Sequence, residues 1–347
     1  YHCSIETPAE TRPRSMKKVL LGTTALAAVG LLASNVASAD EMMAEPISVG
    51  VGGYYTTAIV AKDMDGAMDD RGHVIQQNME MQIAGSSTLD NGITVGVRVR
   101  FTANDYEHSD EQEITFSGGF GSLHVGAIEG AAQQTVAWAP GGTVPIGGIK
   151  SPWFGGIGGM WTTDDIMNED AIKVLYFSPS FNGISLAASY APENTTASYG
   201  GTGTADAGQN SEGVSAALSY SVDVMGGSFS ANVGYEGYTN EDGGADPEGL
   251  RYGASISIDQ IALGGAVYDQ EIGGVSTSKS DIGVSWTDGP MMLGVQYGDN
   301  EMTNSNIVAF NANYNLGPGI DVGMQIGAGE SDMNDFTQVL LGTMLNF

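Results

Sequence analysis

Across 347 residues the chain carries 12 basic and 41 acidic side chains, a formal charge of −29, together with 51 glycines and a single cysteine. Such an acidic chain is a poor match for nucleic acid or an anionic lipid surface. The glycines follow no three-residue period, which excludes a collagen-like fold. In chain order, residues 1–15 precede a credible start at Met16 and read as a mis-called upstream segment. Met16-Lys17-Lys18, the apolar run Val19 to Leu32 and the small-residue site Ala37-Ser38-Ala39 then form a secretory signal peptide over 16–39. The run is too short for a transmembrane helix, which needs roughly 20 apolar residues. Without residues 1–39 the chain keeps 8 basic and 39 acidic groups, a formal charge of −31. Cys3 falls upstream of Met16, so the exported part has neither a disulfide framework nor a thiolate metal site.

From Asp40 onward the dominant signal is two-residue alternation. Ile93, Val95, Val97, Val99 and Phe101 share one parity, and Thr94, Gly96, Arg98, Arg100 and Thr102 the other. The same split places Leu250, Tyr252, Ala254, Ile256 and Ile258 against Arg251, Gly253, Ser255 and Ser257. No 3.6-residue pattern competes with it. Segments of this type fall at about 47–61, 74–88, 91–104, 110–117, 119–128, 171–178, 183–191, 212–222, 226–239, 249–258, 260–270, 277–287, 290–299, 304–315, 318–329 and 335–347. There are sixteen, an even number. Short turns near Leu89-Asp90-Asn91, Gly118, Pro179-Ser180 and Asp288-Gly289-Pro290 contrast with long polar loops at 62–73, 193–211 and 240–248. Residues 40–347 are therefore read as an all-β domain, a 16-stranded antiparallel transmembrane β-barrel.

Aromatic placement separates a membrane barrel from a soluble β protein. With the first strand rising from the periplasm, Tyr176, Tyr220, Trp286, Tyr314 and Phe347 gather toward the short-turn end. Tyr190, Tyr235, Tyr252 and Tyr297 gather toward the long-loop end. Two aromatic girdles flanking an apolar band match the two interfaces of a bilayer. The lipid bilayer of the outer membrane is thus the expected surrounding, and nucleic acid is not an expected partner.

One stretch breaks the alternation: Glu129 to Asp170, 42 residues long. Unstructured loops beyond roughly 12–15 residues are uncommon and usually functional or disordered. Trp138, Trp153, Phe154, Ile157 and Trp161 are too many large apolar groups for a disordered segment, so the loop is expected to fold against the protein. A sixteen-stranded barrel leaves an aqueous channel unless something fills it. This third loop is the candidate filler, with its tryptophans packed on the inner wall or on the loop itself.

Other chemistry finds little support. His73, His108 and His124 lack metal-binding spacing, so no zinc site is expected. His124 shares the wet parity with Ser122 and Gly126, and it reads as a polar lumen group rather than a catalytic base. Asp63-Met64-Asp65-Gly66 and Asp69-Asp70 misplace the glycine of an EF-hand and read as a solvated acidic loop, with weak bridging of divalent cations to lipid phosphates left open. Gly155-Gly156-Ile157-Gly158-Gly159 lacks the strand and helix of a dinucleotide site. Neither a nucleophile elbow nor a P-loop occurs. Glu111 and Glu113 lie on the wet parity as carboxylates lining water. No catalytic residue, metal or cofactor is expected, and the chain is read as a non-enzyme.

The last strand, with Val339, Leu341, Thr343, Leu345 and the terminal Phe347 on one face, resembles the terminal signal by which outer-membrane proteins are recognised for insertion. With Phe120-Gly121-Ser122-Leu123-His124-Val125-Gly126 leading into the long third loop, the whole exported chain resembles the general porins of Gram-negative bacteria, in particular the alphaproteobacterial type. The resemblance implies a homotrimer whose third loop folds into the lumen, and a wall cluster of arginines facing loop carboxylates. Arg98 and Arg100 match on the wall, and Glu129, Asp164, Asp165, Glu169 and Asp170 are the candidate loop partners. Lys173 and Arg251 are further basic groups on the wet parity. The wall is poor in arginine for this family, and the loop's acids crowd its second half. The expected function is passive diffusion of small hydrophilic solutes and ions with weak cation preference. The alternatives are a solute-selective channel of the same fold and a structural or adhesive barrel.

Overall fold

A computed structural model describes residues 47–65, 72–102, 111–142, 149, 166, 171–194, 210–224, 226–330 and 335–347. The expected upstream segment and signal peptide lie outside these residues. Within them the alternating segments form sixteen strands: β1 Ser48–Met64, β2 His73–Thr88, β3 Thr94–Thr102, β4 Glu111–Gly118, β5 Gly121–Ala127, β6 Ile172–Phe177, β7 Ile184–Glu193 and β8 Asn210–Val224. The second half continues with β9 Gly227–Asn240, β10 Glu248–Ile258, β11 Ile261–Ile272, β12 Val275–Asp288, β13 Met291–Asn300, β14 Ser305–Gly317, β15 Ile320–Glu330 and β16 Asp335–Asn346. Each boundary lies within three residues of the one read from the alternation.

Every strand pairs antiparallel with its sequence neighbours, and β16 returns to β1, closing the sheet into a barrel. The seam runs from Tyr54 opposite Asn346 to Met64 opposite Phe336. Just beyond it Phe347 and Gly53 exchange two backbone hydrogen bonds, each 3.0 Å. Closure removes the unpaired edges that an open sheet would present to lipid. No described helix is long and apolar enough to cross a membrane; the crossing elements are strands.

The pleat sorts the side chains as the parity requires. Leu250 and Tyr252 are exposed on the outer face while Arg251 between them is wholly buried inside. All the girdle aromatics named from the sequence, from Tyr176 to Phe347 and from Tyr190 to Tyr297, are exposed on that outer face. Val339, Leu341 and Leu345 join them, so the terminal strand presents its apolar side outward. An apolar exterior over a polar interior inverts a soluble protein and suits lipid outside and water within.

The connections are uneven. After even-numbered strands they are tight, as at Asp259-Gln260, where Asp259 takes φ 51°. After odd-numbered strands the long loops belong to the first ten strands, and β11 passes to β12 through Gly273-Gly274 alone. Both of these glycines have positive φ, which a two-residue turn of this hand requires.

Candidate functional site

The third loop starts at the end of β5 and turns inward at once. Within this run, where the sequence shows no helical alternation, residues Ala131–Gln134 form one turn of helix, α1. Alanine and glutamine favour helix, but a single turn cannot supply its own first N–H partners. Gly130 gives no side-chain cap. The wall does so instead: Ala131 N donates to Ser189 Oγ on β7 at 3.1 Å, and Ala132 N to Ser215 Oγ on β8 at 2.8 Å. Thr135 Oγ1 closes the turn by donating to Ala131 O at 2.9 Å.

Beyond the helix the chain is tied to one strand after another. Ala137 N donates to Asn232 Oδ1 on β9 at 2.8 Å. On β13, Gln296 Nε2 donates to Ala139 O at 3.0 Å and Gln296 Oε1 accepts from Ile149 N at 3.2 Å. Ile149 packs with Ile307 and Ala309 of β14 and Phe336 of β16, while Ile128 and Ala131 pack with Leu175, Ala187 and Ala217. The described residues of the loop therefore follow the inner wall from β7 to β14, and these apolar clusters lie between them and the wall. Trp138 is half-buried on this path; Trp153, Phe154, Ile157 and Trp161 lie outside the described residues.

The wall from β2 to β5 carries large polar side chains instead. Arg98 Nη2 lies 2.9 Å from Glu111 Oε2 and 2.8 Å from Glu113 Oε1. Arg100 Nη2 lies 2.8 Å from Glu111 Oε1, and its Nε lies 3.6 Å from Glu80 Oε2. His124 on β5 contacts Glu113 Oε2 through Nδ1 at 2.7 Å and Ser122 Oγ through Nε2 at 3.1 Å. Its ring meets Phe177 edge-on at 5.5 Å. The register explains the pairing, because Arg98 stands directly opposite Glu113 and Arg100 opposite Glu111. Carboxylates on the wall itself, Glu80, Glu111 and Glu113, thus pair with both arginines. In a closed ring of sixteen, β4 lies eight strands from β12, so this cluster stands across the lumen from the middle of the loop's path.

Lys173 and Arg251 point inward as their parity requires, but the loop covers them. Lys173 keeps 1% of its surface and donates through Nζ to the Ile128 carbonyl at the start of the loop. Arg251 keeps none: its Nη2 lies 2.6 Å from Glu236 Oε1, and its guanidinium sits 4.4 Å from the Tyr268 ring centre. Tyr268 Oη also donates to Glu236, and Ile166 N of the loop donates to Glu236 Oε1 at 3.4 Å. Neither cation therefore lies open to lumen water. Their expected lining role is corrected to one beneath the loop, for a reason no strand parity contains. Glu129 is described at the start of the loop, whereas Asp164, Asp165, Glu169 and Asp170 lie outside the described residues.

Several residues at this site escaped the sequence reading. Glu80, Glu236, Tyr268, Lys279 and Asp281 all lie on the wet parity and are buried inside the barrel. Their inward direction was legible, but the path of the loop over some of them was not. Ser189, Ser215, Asn232 and Gln296 look like any polar lumen residue in one dimension.

A closed barrel with an apolar belt, aromatic girdles at both rims and a loop laid along its inner wall is a transmembrane channel of the outer-membrane kind. The chain belongs to the Gram-negative porin family, whose model matches residues 22–334. The barrel accordingly resides in the bacterial outer membrane. Among solved structures it is similar to a mutant of Rh. blastica porin, with 14% identity over 86% of this chain and 100% of that one, at a TM-score of 0.62. It is similar also to an anion-selective porin from Comamonas acidovorans, with 16% identity over 87% of this chain and 100% of that one, again at 0.62. At such identities the likeness is one of fold. No curated protein sequence matches this chain.

Proposed function

We propose that this porin is a passive, water-filled channel for small hydrophilic solutes and ions, with a modest preference for cations. The observation that carries the preference is the fate of the basic side chains on β3, β6, β10 and β12. Lys173, Arg251 and Lys279 are buried, and Arg98 and Arg100 share three wall carboxylates, Glu80, Glu111 and Glu113. Two guanidiniums against three carboxylates leave the cluster acidic, and a net −31 on the exported chain adds to that sign at the mouths. Acidic groups along a pore raise the local cation concentration. A structural neighbour of the same fold is anion-selective, so in this reading the barrel alone does not fix the sign. His124, hydrogen-bonded between Glu113 and Ser122, is a polar lining group in this reading.

The test is the reversal potential of the refolded protein in planar bilayers across a KCl gradient. A potential of the cation-permeable sign is expected, and an anion-selective channel would overturn the preference. The assembly we propose is the homotrimer that the porin resemblance implies. Closures in groups of three within the same recordings support it; solitary steps throughout would count against it.

A further inference from the structure

Where the loop crosses β12 and β13, the wall residues directly beneath its backbone are Gly283 and Gly294, which have no side chains. A Cβ built on Gly283 would fall well inside 3.0 Å of the Pro140 carbonyl oxygen, and one on Gly294 well inside 3.0 Å of Gly141 backbone atoms. Earlier on the same path, a Cβ on Gly234 would meet Ala132 Cβ at 2.7 Å, and one on Gly253 would meet Ala137 O at 3.1 Å. Gln296, on β13 beside both contacts, holds the same segment down through Ala139 O and Ile149 N. Loop backbone thus lies directly on wall backbone, the closest approach two peptide chains can make.

We propose that Gly283 and Gly294 are the residues that set the aperture of this channel. They fix how far the Pro140–Gly141 backbone stands from the wall, and so how much lumen remains between the loop and the Arg98–Arg100 cluster across from it. A methyl group at either position meets backbone rather than the end of a flexible side chain, so something must shift. Strand β12 is paired along its length with β11 and β13, whereas the Pro140–Gly141 segment belongs to no strand. The loop is the part that yields, away from the wall and toward the lumen. The size limit for solutes is then set from behind the loop, by wall residues that touch no solute. This rests on the passive-channel reading above.

The experiment compares unit conductance and the exclusion of neutral polyethylene glycols of graded size for wild type, Gly283→Ala, Gly294→Ala and the double variant. Two controls accompany them. Gly50→Ala adds a methyl with nothing within 4 Å, and Gly265→Ala presses on the neighbouring strand, where its three nearest atoms all belong to Asp281 and Ile282. Lower conductance and a smaller polymer cut-off are expected for the two test variants, greatest in the double, with both controls close to wild type. An equal loss in Gly265→Ala, or an unchanged cut-off in assembled Gly283→Ala and Gly294→Ala channels, would overturn the proposal. Should the methyl variants not assemble, Gln296→Ala removes bulk instead of adding it. It is expected to raise open-channel noise and blur the cut-off, and unchanged noise and cut-off there would also overturn the proposal. A wild type that does not conduct would sink the passive-channel reading and this inference together, whereas conducting wild type with unaltered variants would sink the inference alone.

Discussion

Arg251 and Glu236 form an ion pair 2.6 Å long in which neither side chain keeps any exposed surface. The pair lies on β10 and β9, and the same carboxylate accepts from the loop at Ile166. Removing one partner of a buried pair leaves the other charge uncompensated, which costs about 3–5 kcal/mol. Arg251→Ala should therefore destabilise the barrel by that order in urea unfolding from lipid vesicles. The double variant Arg251→Met with Glu236→Leu should cost much less. Equal losses would show that the effect comes from lost packing rather than a stranded charge.

Arg98 and Arg100 neutralise most of a carboxylate cluster, so replacing both with serine leaves Glu80, Glu111 and Glu113 without their two guanidiniums. Cation preference should rise. The reversal potential of the double variant beside wild type, in one KCl gradient, measures it. Identical potentials would mean that the selective charges stand elsewhere.

Ionic strength should separate mouth from constriction. The Debye length falls from about 10 Å at 0.1 M to about 3 Å at 1 M. The wall arginines retain only 14% and 23% side-chain exposure, so their pairs are less screened than charges in open loops. Preference should weaken between 0.1 M and 1 M KCl without vanishing. A preference independent of salt would place the whole effect at the constriction.

Val284 is exposed on the outer face of β12, between Trp286 toward one girdle and Ile282, which pairs with Tyr297 of the other. Arginine near the midplane of a barrel's lipid face costs about 2–4 kcal/mol. Val284→Arg should lose stability of that order in vesicles. A cost within about 0.5 kcal/mol, as expected for an ordinary surface change, would mean that this face does not meet lipid.

The sequence by itself determined which way each strand residue points, because a two-residue period has only two answers and a bilayer outside with water inside rewards one of them. Leu250 and Arg251 show this, one out and one in, and so do strand ends placed within three residues. It also marked the stretch after β5 as a loop folded against the protein, and its described residues do lie on the inner wall. The partners of Arg98 and Arg100 were half legible: Glu111 and Glu113 were visible on the wet parity, but only the register across the β3–β4 connection puts them directly opposite. What no alternation could contain was the route of the loop. The cover over Lys173 and Arg251, the serines that cap α1 from β7 and β8, and the bare glycines under Pro140 and Gly141 all depend on contacts between residues from 45 to more than 150 positions apart. Such contacts are selected by the fit of one backbone against another, and only the tertiary structure decided it.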